Sequence, residues 1–586
     1  MPTIKFNHSD LEKIQSRFGI KYSKNLLNDI GDIGCSVEEN NEKEIEIEIF
    51  PDRADLLSPG TLAHASRTFL HNQKAIPNLE IEPSGISLDV DESLKHVRPV
   101  IFAAVVRNVN TGENENEINE FIQTIMDHQE KLHFSLGKRR SKASIGVHDF
   151  SELNPNFRVV TTNEDFEFIP LAMNENLSVK KILSEHPKGV DYAHLLKGMN
   201  KYPMIIDQND SVLSFPPIIN GNHTTVKNST KDFFIDVTGW DPRACECSLL
   251  LVCLELAARG GKVESVEIND CNNQKIITPN GNPIKHELTD RLLESMLGKK
   301  FTEEDLSNAI NRMGGRFLGI TDAPLDSLEI AMKMSDVIVG DKIIEIEMPR
   351  WRFDILHPID LVEEIAIGHG YESLGTDVPK TPLAGSALKS SNFTRRFTTC
   401  LQGLGLQQIT SLTLSNENDQ FKNVRWYEHE VATTLANPIT VDHTLLRTNL
   451  LPGLLRLLSA NKHNELPQRV YELGEVVRNH SNETHASWLI ASPTGGFAEG
   501  RGMLQAIMRD MALDKFGIIY ELKETSEGHG PWLKGRGAEI YVSGMKIGEI
   551  GEIDPHISKN FDLNVPIHGT ELYLDILMGL VQDPVH

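Results

Sequence analysis

Positive charge, cysteine and long apolar runs are what this chain has least of. It has 586 residues, with 58 Lys and Arg against 83 Asp and Glu, giving a formal charge of −25. That excludes a generally basic nucleic-acid coat, because neutralising phosphates needs net cation density on the surface. Any nucleic-acid contact must use a local basic patch. Six cysteines are too few for a disulfide scaffold and suit a reducing cytoplasm. The longest apolar stretch, residues 249–258, is broken by Glu255 and falls far short of the roughly 20 residues that span a bilayer. The N-terminal MPTIKFNHSDLEKI has no apolar core like that of a signal peptide, so no membrane partner is expected. There is also no G-x-x-x-x-G-K-[ST] loop and no G-x-S-x-G elbow, which leaves a P-loop nucleotidase or an α/β-hydrolase without its defining residues.

What is present reads as a multidomain α+β protein, and the length alone suggests roughly four domains. Residues 1–80 form a small α/β domain. In it DLEKIQSRFG is an amphipathic helix ended by Gly19, EKEIEIEIF is a half-buried strand, and Ser58 and Pro59 cap and open a second helix. Residues 80–98 are acidic and poor in aromatics, as a linker would be. From 99 to 270 strand-like runs (PVIFAAVVRNV, MIIDQ, DFFIDVT) alternate with helices, one of them over WDPRACECSLLLVCLELAARGG. Residues 283–374 make a third domain with helix FTEEDLSNAINRMGG, strand KIIEIEMP and then WRFDILHPIDLVEEIAIGHGYESL. A Pro/Gly/Ser stretch over 378–391 leads into residues 388–586. There helix FTRRFTTCLQGLG and strands RVYELGEVV, AEIYVSG and ELYLDIL predict helices around an antiparallel sheet.

Four groups of residues could carry chemistry. Asp360, Glu363 and Glu364 stand three and four apart on one helix face, with Asp354 just before the helix. Clustered carboxylates suit a hard cation such as Mg2+. Equally, Asp360-x-x-Glu363 resembles a helix-capping start, and acids favour that end of the helix dipole. Cys245, Cys247 and Cys253 lack a second C-x-x-C or a His pair, so buried apolar cysteine describes them better than zinc. Lys138, Arg139, Arg140 and Lys142 could contact a phosphate backbone, or form a solvated loop. Lastly, Pro216-Pro217 and Asn220-Gly221 predict an extended segment and a tight turn before DFFIDVTG. On that strand Asp236 and Thr238 face the same way. With Ser214, Asn220 and His223 they form either a polar pocket that reads a hydroxyl or a structural hairpin.

Taken together, FPDRADLLSP, RRSKASIGVHDF, YPMIIDQNDSVLSFPPIINGNHTT with FFIDVTG, PRWRFDILHPIDLVEEIAIGHGY, RTNLLPGLL, YELGEVV and GEIGEIDP resemble the β subunit of phenylalanyl-tRNA synthetase in its shorter archaeal and eukaryotic-like form. The motifs lie in order from about residue 50 to 575. The resemblance implies an (αβ)2 heterotetramer that joins phenylalanine to tRNA(Phe) using ATP, with aminoacylation on the α subunit. It implies a B3/B4-like editing domain over 99–270 and a B5-like domain with a winged-helix-like part over 283–374. The C-terminal 388–586 is similar to a class II synthetase catalytic domain without its active site. YELGEVV stands where a strand would bring an ATP-gripping arginine, and GEIGEIDPHISKNFDL offers acids where a glycine-rich, arginine-bearing helix is expected.

By the same resemblance, Asp236, Thr238, Ser214 and Asn220 line an editing pocket that hydrolyses tyrosyl-tRNA(Phe), with His223 as an activator of water. No nucleophilic side chain is evident, so a positioned water is expected to attack the ester. Asp354, Asp360, Glu363 and Glu364 would hold Mg2+ shared with the α subunit. The longer bacterial form's inserted OB-fold and C-terminal anticodon-binding domain have no counterpart in this sequence, so tRNA contact is expected from the partner and the 138–142 cluster. The alternative is a non-catalytic scaffold subunit with a degenerate editing pocket.

Overall fold

Alternation in EKEIEIEIF puts Ile45, Ile47 and Ile49 on one side of the strand Glu44–Ile49, and all three are fully buried. That strand is the middle of a three-stranded antiparallel sheet, between Thr3–Asn7 and Cys35–Asn40. The computed structural model describes residues 2–22, 25–323, 340–375, 384–427, 431–513, 517–525 and 528–581, in two units, Met1–Val378 and Pro379–His586. Residues 378–383 of the Pro/Gly/Ser stretch lie outside the described residues.

In the first unit Ser58 caps the helix Pro59–Phe69 as its sequence predicts, accepting from Thr61 N. A second acceptor at the same helix start comes from far along the chain. Glu255, fully buried on helix Pro242–Ala258, takes hydrogen bonds from Ser58 Oγ at 2.7 Å and Gly60 N at 2.6 Å. Only glycine fits at position 60, because a Cβ there would stand 2.3 Å from Glu255 Oε2. Arg259 joins Glu255 to Asp10 through contacts of 2.7–2.9 Å. Glu255→Ala strips a buried hydroxyl, an amide and a guanidinium of their acceptor. We expect a loss of about 3 kcal/mol in denaturant unfolding of the full chain.

Most of the first unit is one ten-stranded sheet. Its path runs Ile219–Asn220, Val212–Phe215, Tyr202–Ile206, Phe157–Thr162, Glu82–Val90, Lys262–Asn269, Val100–Arg107, Phe233–Gly239 and Ala143–Asp149, with Lys275–Thr278 paired to Lys262–Asn269. Helices Pro242–Ala258 and Glu115–Phe134 pack over one face. Glu82–Val90 corrects the reading of residues 80–98 as a linker. Ile86, Leu88 and Val90 alternate into the core, a period that the acidic residues between them obscure. The tight turn expected at Asn220-Gly221 lies instead at Pro216–Ile218, where Ile218 N bonds Phe215 O at 2.8 Å, and Asn220 is itself in a strand. Cys245, Cys247 and Cys253 are buried free thiols on one helix. Burial pushes Cys245 and Cys247 up to about 12, which suits core packing and not zinc. A separate antiparallel sheet, Ile284–Thr289, Lys342–Met348 and Arg316–Asp322, carries helices Glu303–Arg312 and Pro358–His369.

The second unit, taken alone, is a seven-stranded sheet. Its order is Gln407–Gln408, Gln468–Arg478, Ser481–Ala491, Ile567–Tyr573, Met545–Ile553, Trp532–Val542 and Tyr520–Glu524, antiparallel except at the first pair. Helices Lys389–Gly403 and Phe497–Asp510 cover one side. The strand expected over ELYLDIL stops at Tyr573, and Leu574–Leu580 is helical. Among the described residues no helix is long and apolar enough to cross a membrane.

Candidate functional site

The large sheet curls until its two ends meet, and side chains alone stitch the seam. From one end come Asn220 and Thr224, from the other Val147 and His148. Asn220 Nδ2 reaches Val147 O at 3.4 Å, and Thr224 Oγ1 lies 2.8 Å from His148 Nδ1. Arg140 completes the closure, giving Nη1 to the carbonyls of Pro217 and Ile218 at 3.1 and 2.9 Å while Nη2 holds Glu130. Along this seam, under helix Glu115–Phe134, lies a cavity of about 480 Å³. Its walls are mostly apolar (Phe121, Ile145, Val147, Ile218, Ile219, Phe233), with Ser144, Ser214, Asn220, Thr224 and Asp236 as polar points.

Asp236 is the one carboxylate on the strand Phe233–Gly239, next to the sheet's end, and is 1% exposed. Its Oδ2 lies 2.7 Å from His148 Nε2. His148 Nε2–H donates to Asp236 Oδ2, and the Thr224 hydroxyl, also 3.0 Å from Gly221 O, meets Nδ1 on the other side of the ring. Asp236 Oδ1 makes no hydrogen bond among the described residues. Gly146, opposite Asp236 in the ladder, keeps this space open; a Cβ there would stand 2.1 Å from Oδ2.

Of the residues named from the sequence, Asp236, Ser214 and Asn220 line the cavity together, and Ser214 Oγ lies 3.4 Å from Asn220 Oδ1. Thr238 points the same way along its strand but outside the lining. Its hydroxyl is taken by Arg98 Nε at 2.8 Å and Ser144 Oγ at 3.0 Å. His223 is exposed and also outside the lining. The basic cluster is divided. Arg140 is buried in the seam, Lys142 pairs with Asp241 at 3.0 Å, and Lys138 and Arg139 remain on the surface. Sequence reasoning missed His148 and Gly146. The signal was the period of two in SKASIGVHD, which sets Ser144, Gly146 and His148 on one face, but nothing in it names the partner strand.

Three of the four carboxylates near 360 are already engaged. Buried Arg352 gives Nε to Asp354 Oδ1 at 2.9 Å and two nitrogens to Glu364 at 2.6–2.8 Å. Asp360 Oδ2 accepts from the backbone of Leu356 and His357, both at 2.7 Å, as a helix-capping acid does. Glu363 stays exposed. Burial of its carboxyl, then Glu364, Asp52, Asp360 and Asp354 around it, push it above its ordinary value. Among the described residues no three His, Cys, Asp or Glu side chains gather closely enough to enclose an ion. Glu363 alone of the four keeps its carboxylate outside these bonds, with the other acids around it.

In the second unit, buried glutamates occupy three neighbouring regions of the sheet. Glu472 takes Arg447 Nη1 at 2.7 Å and Ser411 Oγ at 2.7 Å. Glu571 accepts from Leu450 N and Leu451 N, each at 2.9 Å, at the start of helix Leu451–Ala460, with His485 at 2.8 Å. Glu549 meets Trp532 Nε1 at 2.6 Å and Lys546 at 2.7 Å. Each nearby cation already faces a carboxylate, which leaves little to offset a triphosphate.

Family models match this layout. Residues 97–249 match the B3/4 domain, 287–371 the tRNA synthetase B5 domain and 374–574 the phenylalanyl-tRNA synthetase β chain CLM domain. The phenylalanine–tRNA ligase β subunit of Methanosarcina barkeri is 37% identical over 579 residues, 99% of this chain and 100% of that one. This chain belongs to the phenylalanine–tRNA ligase β-subunit family. The β subunit of Pyrococcus abyssi is 31% identical over 98% of this chain and 99% of its own length. A crystal structure of an N-terminal fragment of the Pyrococcus horikoshii β subunit superposes with a TM-score of 0.54 at 27% identity, covering 63% of this chain and 100% of the fragment. The seam cavity therefore lies in the B3/4 domain of a β subunit, and the carboxylates near 360 in its B5 domain.

Proposed function

We propose that this β subunit works in the cytoplasm with an α subunit as an (αβ)2 ligase that charges tRNA(Phe) with phenylalanine, and that its own chemistry is hydrolysis of tyrosyl-tRNA(Phe). The observation that carries the editing reading is Asp236, with one oxygen fixed by His148 and the other without a hydrogen bond among the described residues. An apolar synthetic pocket rejects an analogue with one added hydroxyl by only about a hundredfold. A second site that bonds the hydroxyl favours the wrong product, since phenylalanine would leave Asp236 Oδ1 unpaired. Apolar walls hold the ring, and Ser214 and Asn220 stand at the polar side for the aminoacyl ester and an attacking water. Water adds to the ester carbonyl, the carbonyl–oxygen bond to the tRNA ribose breaks, and the ribose oxygen leaves with a proton. Thr238 acts here as a positioning residue through Arg98. The supported role of the second unit is structural, with ATP chemistry assigned to the α subunit.

The test is deacylation by the purified αβ complex. Tyrosyl-tRNA(Phe) should be cleaved far faster than phenylalanyl-tRNA(Phe). Equal, background rates on both would favour the scaffold reading.

Mg2+ belongs to the same proposal, with Glu363, Asp360, Asp354 and Glu364 as its protein ligands and the rest from water and the α subunit, as magnesium commonly arranges. Bound there it would supply charge neutralisation to this acidic cluster and no reacting group. In crystals of the complex soaked in Mn2+, an anomalous peak is expected beside Glu363; its absence would remove the ion from this account.

A further inference from the structure

A second, much smaller cavity lies in the first unit where helix Pro59–Phe69, the end of helix Glu303–Arg312 and the turn at 349–352 converge. It measures about 20 Å³, and Arg53, Arg67, Arg312 and Arg352 line it against the single acid Asp55. Three of the four guanidinia have company. Arg53 is paired with Asp55 at 2.8 Å, Arg352 with Asp354 and Glu364, and Arg312 gives Nε and Nη1 to the carbonyls of Phe69 and Gly368 at 3.2 and 3.0 Å. Arg67 has none. It is 6% exposed, and its Nε and Nη2 are buried without a hydrogen-bond partner. The Phe18 ring centroid lies 5.4 Å from its guanidinium carbon. His64, also in the lining, is pushed by burial and then by Arg67 down to about 3, so it is neutral and a possible donor.

A buried cation without a counter-charge is costly, and a neutral water offsets little of that cost. A space of about 20 Å³ suits a single monatomic ion better than phosphate, sulfate or a carboxylate ligand. We propose that this cavity binds a single chloride ion, held by Arg67 and tying helix Pro59–Phe69 to the B5 domain.

Two measurements on the full chain test this. In crystals soaked in bromide, an anomalous peak is expected within hydrogen-bond distance of Arg67 Nε or Nη2; a site without bromide overturns the proposal. In solution, chloride exchanged for gluconate at fixed ionic strength should lower the midpoint of thermal unfolding by about 1–3 °C. Arg67→Met, which keeps the bulk and removes the charge, should lose that difference. An equal difference in the variant and the wild type would mean that the anion acts elsewhere, and would sink the assignment. If the variant fails to fold, the bromide soak of the wild type decides.

Discussion

Asp236→Asn is expected to lower deacylation of tyrosyl-tRNA(Phe) by the complex roughly 10²- to 10³-fold, the range seen when one preorganised polar contact is removed, with phenylalanine charging unchanged. The substitution keeps the shape of the side chain and removes its charge. It also breaks the proton arrangement with His148, because the amide has one acceptor where the carboxylate has two. The diagnostic is the ratio of kcat/KM for tyrosyl over phenylalanyl ester, which should collapse toward one. Wild-type discrimination in the variant would mean that the hydroxyl is read elsewhere. Gly146→Ala, by placing a methyl against Oδ2, should give a similar loss without changing any charge, and so separates space from electrostatics.

The second large effect is on stability. Arg352→Met leaves Asp354 and Glu364 largely buried and unpaired, and breaking such a pair from one side costs about 3–5 kcal/mol. Denaturant unfolding should show that loss. Adding Asp354→Asn and Glu364→Gln should recover much of it by removing the stranded charges. The same region gives a pH signature. Burial alone would raise the Asp55 carboxyl, but the Arg53 guanidinium against it holds it below the ordinary carboxylate range. A carboxylate lowered in the folded state contributes stability above its unfolded value of about 3.9 and loses it as the pH falls further. Acid unfolding of wild type should therefore steepen below about pH 4, and Arg53→Met should flatten that limb.

Much of this was legible in the sequence, and the gaps have physical causes. Period-two patterning located the strand of Asp236 and correctly faced Thr238 with it. Facing alone does not say who takes a hydroxyl, and the claimant here is Arg98, 140 residues upstream. His148 and Gly146 were invisible for the same reason, since their meaning comes from the register opposite Asp236. The acids near 360 were recognised as one helix face, yet Arg352, two residues before Asp354, changes their electrostatics at once. The strand Glu82–Val90 was hidden by composition, its three buried residues diluted by Glu, Asp and Ser. Capping, by contrast, was readable where it was local, at Ser58, and unreadable where Glu255 supplies it across 195 residues.

The seam also bears on entry. Neighbouring strands inside the sheet are riveted by backbone ladders, whereas among the described residues the rims at Ala143–Asp149 and Ile219–Asn220 are hydrogen-bonded through Asn220, Thr224–His148 and Arg140. Unfastening a few side-chain bonds, each worth about 1 kcal/mol net, parts the two rims with no strand pairing lost. A sheet held by ladders everywhere else thus keeps one edge that can part for a few kcal/mol while every strand pairing stays intact.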